Sequence, residues 1–297
     1  MSIAQNKGTS PAHREFVDRG YTYTRPLFRW MFPTRRRPFM IHFGHWDGGV
    51  RNHFQALLRT NEVFIQASRL QPHDRVLDMG CGEASAMIYL AEKHRNEAVG
   101  ITICEDQVRR GRQAITERGV ADLVTVEHMD YLNTTFADGE FDVVWAMDSY
   151  STAEDHAAFF AEAYRVLKPG GRIVIQDGFC KNRTTDRAGN EMLDKIFDGF
   201  GAKFPSVDEV TEMSEKVGFA DVSIRDITRE TWGTTRIAAR VSNVARPLLT
   251  VLRRLNSHFD PPARIAIGTA ALPAAIKRNV LLIGLLTATK PQHQVPQ

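Results

Sequence analysis

Apolar positions along residues 72–226 follow two alternating rhythms. Short apolar runs that read as strands end at Asp78 or cover Ala98–Thr102, Leu123–Glu127, Phe141–Met147 and Arg172–Gln176. Between them, apolar residues at helical spacing predict helices over Ala84–His94, Glu105–Arg118 and Asp155–Leu167. Gly119 stops the second helix. Lys168-Pro-Gly-Gly171 ends the third, since proline cannot extend a helix and glycine accepts the left-handed conformation that closes one. Strand and helix in alternation predict an α/β fold, a doubly wound and mostly parallel sheet with ligand sites at the carboxyl ends of its strands.

The flanks break this rhythm. Residues Met1–Ser10 read as disordered, and Phe16, Tyr21, Tyr23, Phe28, Trp30, Phe32, Phe39, Phe43 and Trp46 then crowd the chain before any strand. That density predicts a helical lid or cap over residues 1–70, closed by a helix over Arg51–Leu70 and Pro72. Inside it, Arg35, Arg36 and Arg37 are a solvated loop or an anion site, and the glycines of Ile41–Gly49 mark irregular backbone. After Asp177, helices are expected over Arg187–Phe200 and Val207–Val217, then a strand after Gly218. A long helix follows over Thr231–Leu255, with Arg236, Arg240 and Arg253 on its polar side. Ile265–Ile276 and Val280–Thr289 read as apolar helices. Pro273 and Lys277-Arg278 interrupt them short of the ~20 residues a membrane span needs, so they are expected to pack on the domain or rest on a lipid surface. Residues 71–297 then form one domain with a substrate-cap insert after the fifth strand.

Composition narrows the class without naming a function. Hydrophobic residues at 43% and charged residues at 25% are ordinary for a soluble globular protein, and a net charge of +3 is too small to argue for nucleic acid. Cys81, Cys104 and Cys180 fit neither a disulfide framework nor a zinc site, so no metal is expected and a reducing cytoplasm is the default compartment. The polar N-terminus lacks the apolar core of a signal peptide.

The chemistry centres on Arg75-Val-Leu-Asp-Met-Gly-Cys-Gly82, a strand, a tight turn and then a helix. Such glycines let backbone approach a ligand closely, and the helix offers free N–H groups. With Val-Gly-Ile-Thr-Ile before Cys104, His128-Met-Asp130 and Arg165-Val-Leu-Lys-Pro-Gly-Gly171 in register behind it, the stretch from Pro72 to Asp226 resembles the class I S-adenosylmethionine-dependent methyltransferases. The resemblance implies a Rossmann-like fold and S-adenosyl-L-methionine as cofactor. It places Asp78, Gly80, Cys81 and Gly82 at the cofactor's amino acid end, with capping of the turn as the alternative for Asp78. Most members carry an acid for the ribose at the second strand; here Gly100-Ile-Thr-Ile-Cys-Glu-Asp-Gln107 is similar to the tocopherol methyltransferase and cyclopropane-synthase-like signature, which puts Thr102, Ile103 and Gln107 there. Asp130 and Tyr131 fall at the adenine, and Met147 beside the cofactor.

Substrate chemistry is expected to begin at Asp148-Ser149-Tyr150. Methyl transfer from a sulfonium is a direct displacement, so the protein mainly aligns the groups. A carbon nucleophile asks for more, because the resulting cation wants aromatic faces or a carboxylate, then a base. Asp148 stands where tocopherol and geranyl-diphosphate C-methyltransferases carry Glu-Ser; it is the candidate base, or it caps the next turn. Ile41-His-Phe-Gly-His-Trp-Asp47 is similar to the histidine loop of those enzymes, so His42 is expected at the cofactor and His45 and Tyr150 in catalysis. Three functions remain open: C-methylation of a small isoprenoid or lipid-like molecule, including a prenyl diphosphate; N- or O-methylation of a small molecule; and non-catalytic cofactor binding. A base-flipping enzyme is disfavoured, since Met-Asp-Ser-Tyr stands where an Asn/Asp-Pro-Pro-aromatic motif would fall. An apolar small-molecule partner is expected, with peripheral membrane contact and a homo-oligomer left open.

Overall fold

The computed structural model describes residues 8–31, 39–181 and 187–292. Helices α1 (Pro11–Met31) and α2 (His53–Ala67) precede β1 (Val76–Met79), α3 (Ser85–His94), β2 (Ala98–Thr102), α4 (Glu105–Arg118) and β3 (Val124–His128). Next come β4 (Phe141–Met147), α5 (His156–Val166), β5 (Leu167–Cys180), α6 (Arg187–Phe200) and α7 (Val207–Val217). The chain closes with β6 (Ala220–Asp226), α8 (Thr228–Leu255), α9 (Asp260–Lys277) and β7 (Leu281–Thr289). The sheet runs in the order β3-β2-β1-β4-β5-β7-β6, parallel except for β7, which is antiparallel to both neighbours.

Alternation within the strands builds a core on each face. Leu77 and Met79 join Phe141, Phe159 and Phe179 on one side, while Val76 joins Phe64, Trp145 and Val174 on the other. The expected strands match closely, and the expected apolar helix over Val280–Thr289 is corrected to strand β7. Its unbroken apolar run is buried along nearly its whole length between β5 and β6, which suits a central strand as well as a helix. The Lys168–Gly171 turn is drawn into β5 as a bulge: from Phe141 to Val143 on β4, the paired partner moves from Leu167 to Arg172.

Helices α1, α6, α8 and α9 gather over the carboxyl ends of β4 and β5. Helices α6 and α9 cross closely, because a Cβ on Gly199 would lie 2.8 Å from the Cα of Gly268. The loop before α2 is tied into this layer: the Trp46 amide donates to the Glu230 carbonyl and its indole N–H to Thr234 Oγ1, at 2.8 and 3.0 Å. Arg35, Arg36 and Arg37 lie outside the described residues, as does most of the expected disorder over Met1–Ser10.

Candidate functional site

Two adjoining cavities open at the carboxyl ends of the strands. The first is lined by Asp78, Gly80, Cys81 and Gly82 from the β1 turn, by Thr102, Ile103 and Gln107 after β2, and by Tyr131, Met147 and His42. Asp78 is 2% exposed, its Oδ1 has no hydrogen-bond partner among the described residues, and burial pushes its carboxyl up to about 7. The turn's glycines differ in what they do. Gly82 has φ +54° and a Cβ there would meet nothing within 4 Å, so the missing side chain keeps the cavity clear. Gly80 has φ +111° and faces Ser149, whose Oγ would lie 2.6 Å from an added Cβ and which donates to the Met79 carbonyl at 2.6 Å. Thr102 Oγ1 donates to Gln107 Oε1 at 2.7 Å, which ties the end of β2 to α4.

Asp130 lies outside the cavity lining, contrary to expectation. Its carboxylate accepts from the Thr9 amide at 2.6 Å, from Thr9 Oγ1 at 3.0 Å and from Leu132 N at 2.9 Å, and Arg14 pairs with it at 3.3 Å. Ser10 engages Glu154 in the same way, through N and Oγ at 2.5 and 2.8 Å. The two acids therefore clamp the start of α1 beside the cavity.

The second cavity is mostly apolar. Phe16, Gly20 and Tyr21 of α1, Phe43, Phe200 and Phe204, and Ile265, Thr269 and Leu272 of α9 form much of its wall. Its acidic groups are Asp148 and Asp177, and no lysine or arginine lines it among the described residues. Asp148, His42, Tyr21, Ile41, Val17 and Thr152 border both cavities. Asp177 accepts from Ser151 N and Gly178 N at 2.8 and 2.7 Å, and burial pushes it up to about 6. Asp148, in a left-handed turn with φ 53° at the end of β4, accepts from Phe43 N through Oδ2, while its Oδ1 is buried without a partner among the described residues. Burial, and then the charge of Asp177, raise its carboxyl well above the usual range.

Histidine 42 is neutral, because burial lowers it to about 4. Its Nε2 lies 3.1 Å from the Leu57 carbonyl, which can only accept, so Nε2 carries the hydrogen and Nδ1 keeps a lone pair. His45 and Tyr150 depart from expectation, since neither lines a cavity. His45 is 1% exposed and reaches Asp148 only through Gln176, whose Oε1 is 2.9 Å from His45 Nε2 and whose Nε2 donates to Phe43 O and Asp148 Oδ2 at 3.0 and 3.3 Å. Tyr150 is a core residue, 0% exposed among Phe159, Phe160 and Phe179. Sequence reading missed Asp177 and Tyr21. Asp177 carried a signal, an acid in the fifth strand of a parallel sheet, whereas Tyr21 is one of many aromatics and only tertiary packing selects it.

Residues 77–175 match the methyltransferase domain family. The chain is 29% identical over 255 residues to the 27-O-demethylrifamycin SV methyltransferase of Amycolatopsis mediterranei, covering 84% of this chain and 90% of that one. Identity to the probable tocopherol O-methyltransferase of Oryza sativa subsp. japonica is 27% over 271 residues, covering 85% and 73%. Geranyl diphosphate C-methyltransferase from Streptomyces coelicolor A3(2) shares the fold with a TM-score of 0.72 at 18% identity, over 95% of this chain and 99% of that one. Strand order, strand-end cavity and domain match together are those of the class I methyltransferase fold. The chain is an S-adenosylmethionine-dependent enzyme, and S-adenosyl-L-methionine is its cofactor. The buried unpaired oxygen of Asp78 and the space left by Gly82 fit a ligand that carries an ammonium beside a bulky sulfonium.

Proposed function

We propose that this methyltransferase acts at carbon on an uncharged, apolar small molecule of isoprenoid or lipid-like type. The observation that carries the reading is an apolar, aromatic cavity that contains two buried carboxyls and no cation among its described lining, and that shares Asp148 and His42 with the cofactor cavity. The described lining offers no lysine or arginine to pair with a diphosphate, which favours a neutral acceptor. In this reading Asp78, Gly82, Thr102, Ile103 and Gln107 hold the cofactor, with Cys81, Tyr131 and Met147 closing around it. When bound, the cofactor supplies an electrophilic methyl group on a sulfonium.

The chain's own residues then do three things. The walls of α1 and α9 bind the acceptor and exclude water, so the nucleophilic carbon is held at the shared boundary. Asp148 and Asp177 favour positive charge that develops on the acceptor when its double bond is spent on the new carbon–carbon bond. The unpaired Oδ1 of Asp148 takes the proton that restores the double bond, since a positive charge beside it favours its ionised form. His42 Nδ1 is the other base at the boundary, and His45 positions Asp148 through Gln176.

A hydroxyl acceptor is the second reading, favoured by the relative named as acting on 27-O-demethylrifamycin SV, of which this chain covers 90%. The same carboxylate would remove the hydroxyl proton. A panel of neutral isoprenoid alkenes, phenols, prenyl diphosphates and amines, incubated with methyl-labelled cofactor and followed by NMR of the product, tests both. New carbon–methyl bonds on neutral alkenes are expected. Methylation confined to amines or diphosphates would overturn the proposal.

A further inference from the structure

The large hydrophobic side chains exposed among the described residues are Tyr23, Val244, Leu248, Val251 and Leu255, and four of these five lie on α8. They are 75%, 63%, 56% and 79% exposed. Their spacing of four, three and four residues puts them on one stripe of the helix, on the face turned away from buried Thr235, Ala239, Ser242 and Leu249. A stripe this exposed costs hydrophobic free energy unless something covers it.

Charge identifies what would cover it. Between Glu230 and Asp260 the chain has five arginines, Arg236, Arg240, Arg246, Arg253 and Arg254, and no acidic residue. Arg253 pairs with Asp260 at 3.7 Å, whereas no ion pair joins Arg236, Arg240, Arg246 or Arg254 to a carboxylate among the described residues. At 100° per residue, Arg236, Arg240 and Arg254 fall along one edge of the apolar stripe. An apolar stripe edged by unpaired arginines matches a surface that offers hydrocarbon beside negative charge, which is an anionic lipid bilayer. A second copy of this chain would bring the same positive charge to the contact and be repelled. No helix of the described residues is long and apolar enough to cross a membrane, so the geometry is that of a helix lying in the interface.

We propose that the outer face of α8 docks the protein on anionic membranes. The inner side of the same helix gives this a purpose: Thr234 and Ala238 line the apolar cavity, and α9, packed against α8, supplies Ile265, Thr269 and Leu272. An apolar acceptor partitions into bilayers, so docking through α8 holds the cavity close to where such a molecule accumulates. The docking surface itself stands whatever atom is methylated.

Flotation of the full chain with vesicles of phosphatidylcholine alone, or with a third of phosphatidylglycerol, tests this directly. Binding is expected to the anionic vesicles only and should weaken with added salt, because the arginine contribution is screened. Replacing Val244, Leu248, Val251 and Leu255 with serine, or Arg236, Arg240 and Arg254 with glutamine, should each lower the bound fraction about tenfold or more. Because all seven side chains are exposed, unchanged melting temperature and cofactor affinity serve as the control for folding. Absence of binding to anionic vesicles at low salt would overturn the proposal. So would binding that survives both sets of substitutions, or a wild-type dimer that the serine set dissolves while no vesicle binding is seen.

Discussion

The amide of Phe43 donates to Asp148 Oδ2 across 2.5 Å, joining the loop that carries His42 to the turn that ends β4. One carboxyl oxygen is thus fixed by the loop and by Gln176, while the other has no hydrogen-bond partner among the described residues and stands at the boundary of the two cavities. A group built this way is both positioned and reactive.

Replacing Asp148 with asparagine keeps size and hydrogen bonding but removes the negative charge and the proton acceptor. If Asp148 takes the proton, turnover should fall by ~10²-fold or more while cofactor affinity changes far less. Steady-state kinetics on the acceptor found in the panel, with calorimetry for the cofactor, would measure this. Near-full turnover would remove Asp148 from the base role.

The two turn glycines separate binding from folding. Gly82→Val puts a side chain into open cavity space, so cofactor affinity should fall by ~10²-fold or more, at a stability cost on the order of 1–3 kcal/mol for the left-handed backbone. Gly80→Ala meets Ser149, which is already bonded to Met79, so its main effect should be on melting temperature. Calorimetry paired with thermal melts distinguishes them, and equal losses of affinity in stably folded variants would contradict the assignment.

Thr9 and Ser10, bound to Asp130 and Glu154, predict that the start of α1 is a fastened flap. Asp130→Ala with Glu154→Ala should speed hydrogen exchange over residues 9–24 by about tenfold or more, while β1 and β4 stay protected. Unchanged exchange would mean that apolar packing alone holds α1, for instance Phe16 under Arg264 at 4.7 Å.

Much of the sheet was legible because its signals are local. Val76–Met79 is a fully buried four-residue strand followed by glycines, and Val207–Val217 opens with a Ser206/Glu209 capping box and closes at Gly218. Reading failed where one pattern serves two folds, as in the apolar run of β7, or where tertiary partners decide. Tyr150 follows Asp148 closely, yet the turn after β4 sends it into the aromatic core. Asp130 lies two residues beyond the end of β3, yet its carboxylate is taken by Thr9, a partner 121 residues away. That Asp78, Gly82, Thr102 and Gln107 would line one strand-end cavity was legible because a strand end fixes where its neighbours face, whereas the apolar cavity was not, since its walls come from α1, α6, α8 and α9 together.

If Asp78 faces the cofactor's ammonium, cofactor binding and stability both depend on pH, and the sign follows from the raised value of its carboxyl. Its carboxyl stands near 7 in the folded protein against 3.8 ordinarily, so between pH 4 and 7 the folded chain binds more protons than the unfolded one. The free protein therefore loses stability as pH rises through this window, a loss of a few kcal/mol at most from this group. An ammonium against Oδ1 favours the ionised form, so cofactor binding should release a proton below pH 7, and affinity should weaken up to about tenfold for each pH unit from 7 down toward 5. Asp78→Asn removes both effects: the free variant should melt higher than wild type at pH 8, while its affinity is lower by ~10²-fold and nearly flat with pH. Calorimetry from pH 5 to 8, in two buffers of different ionisation enthalpy, reads affinity and proton release together. A wild-type affinity that is flat across that range, with no proton released, would mean that Asp78 does not face the ammonium.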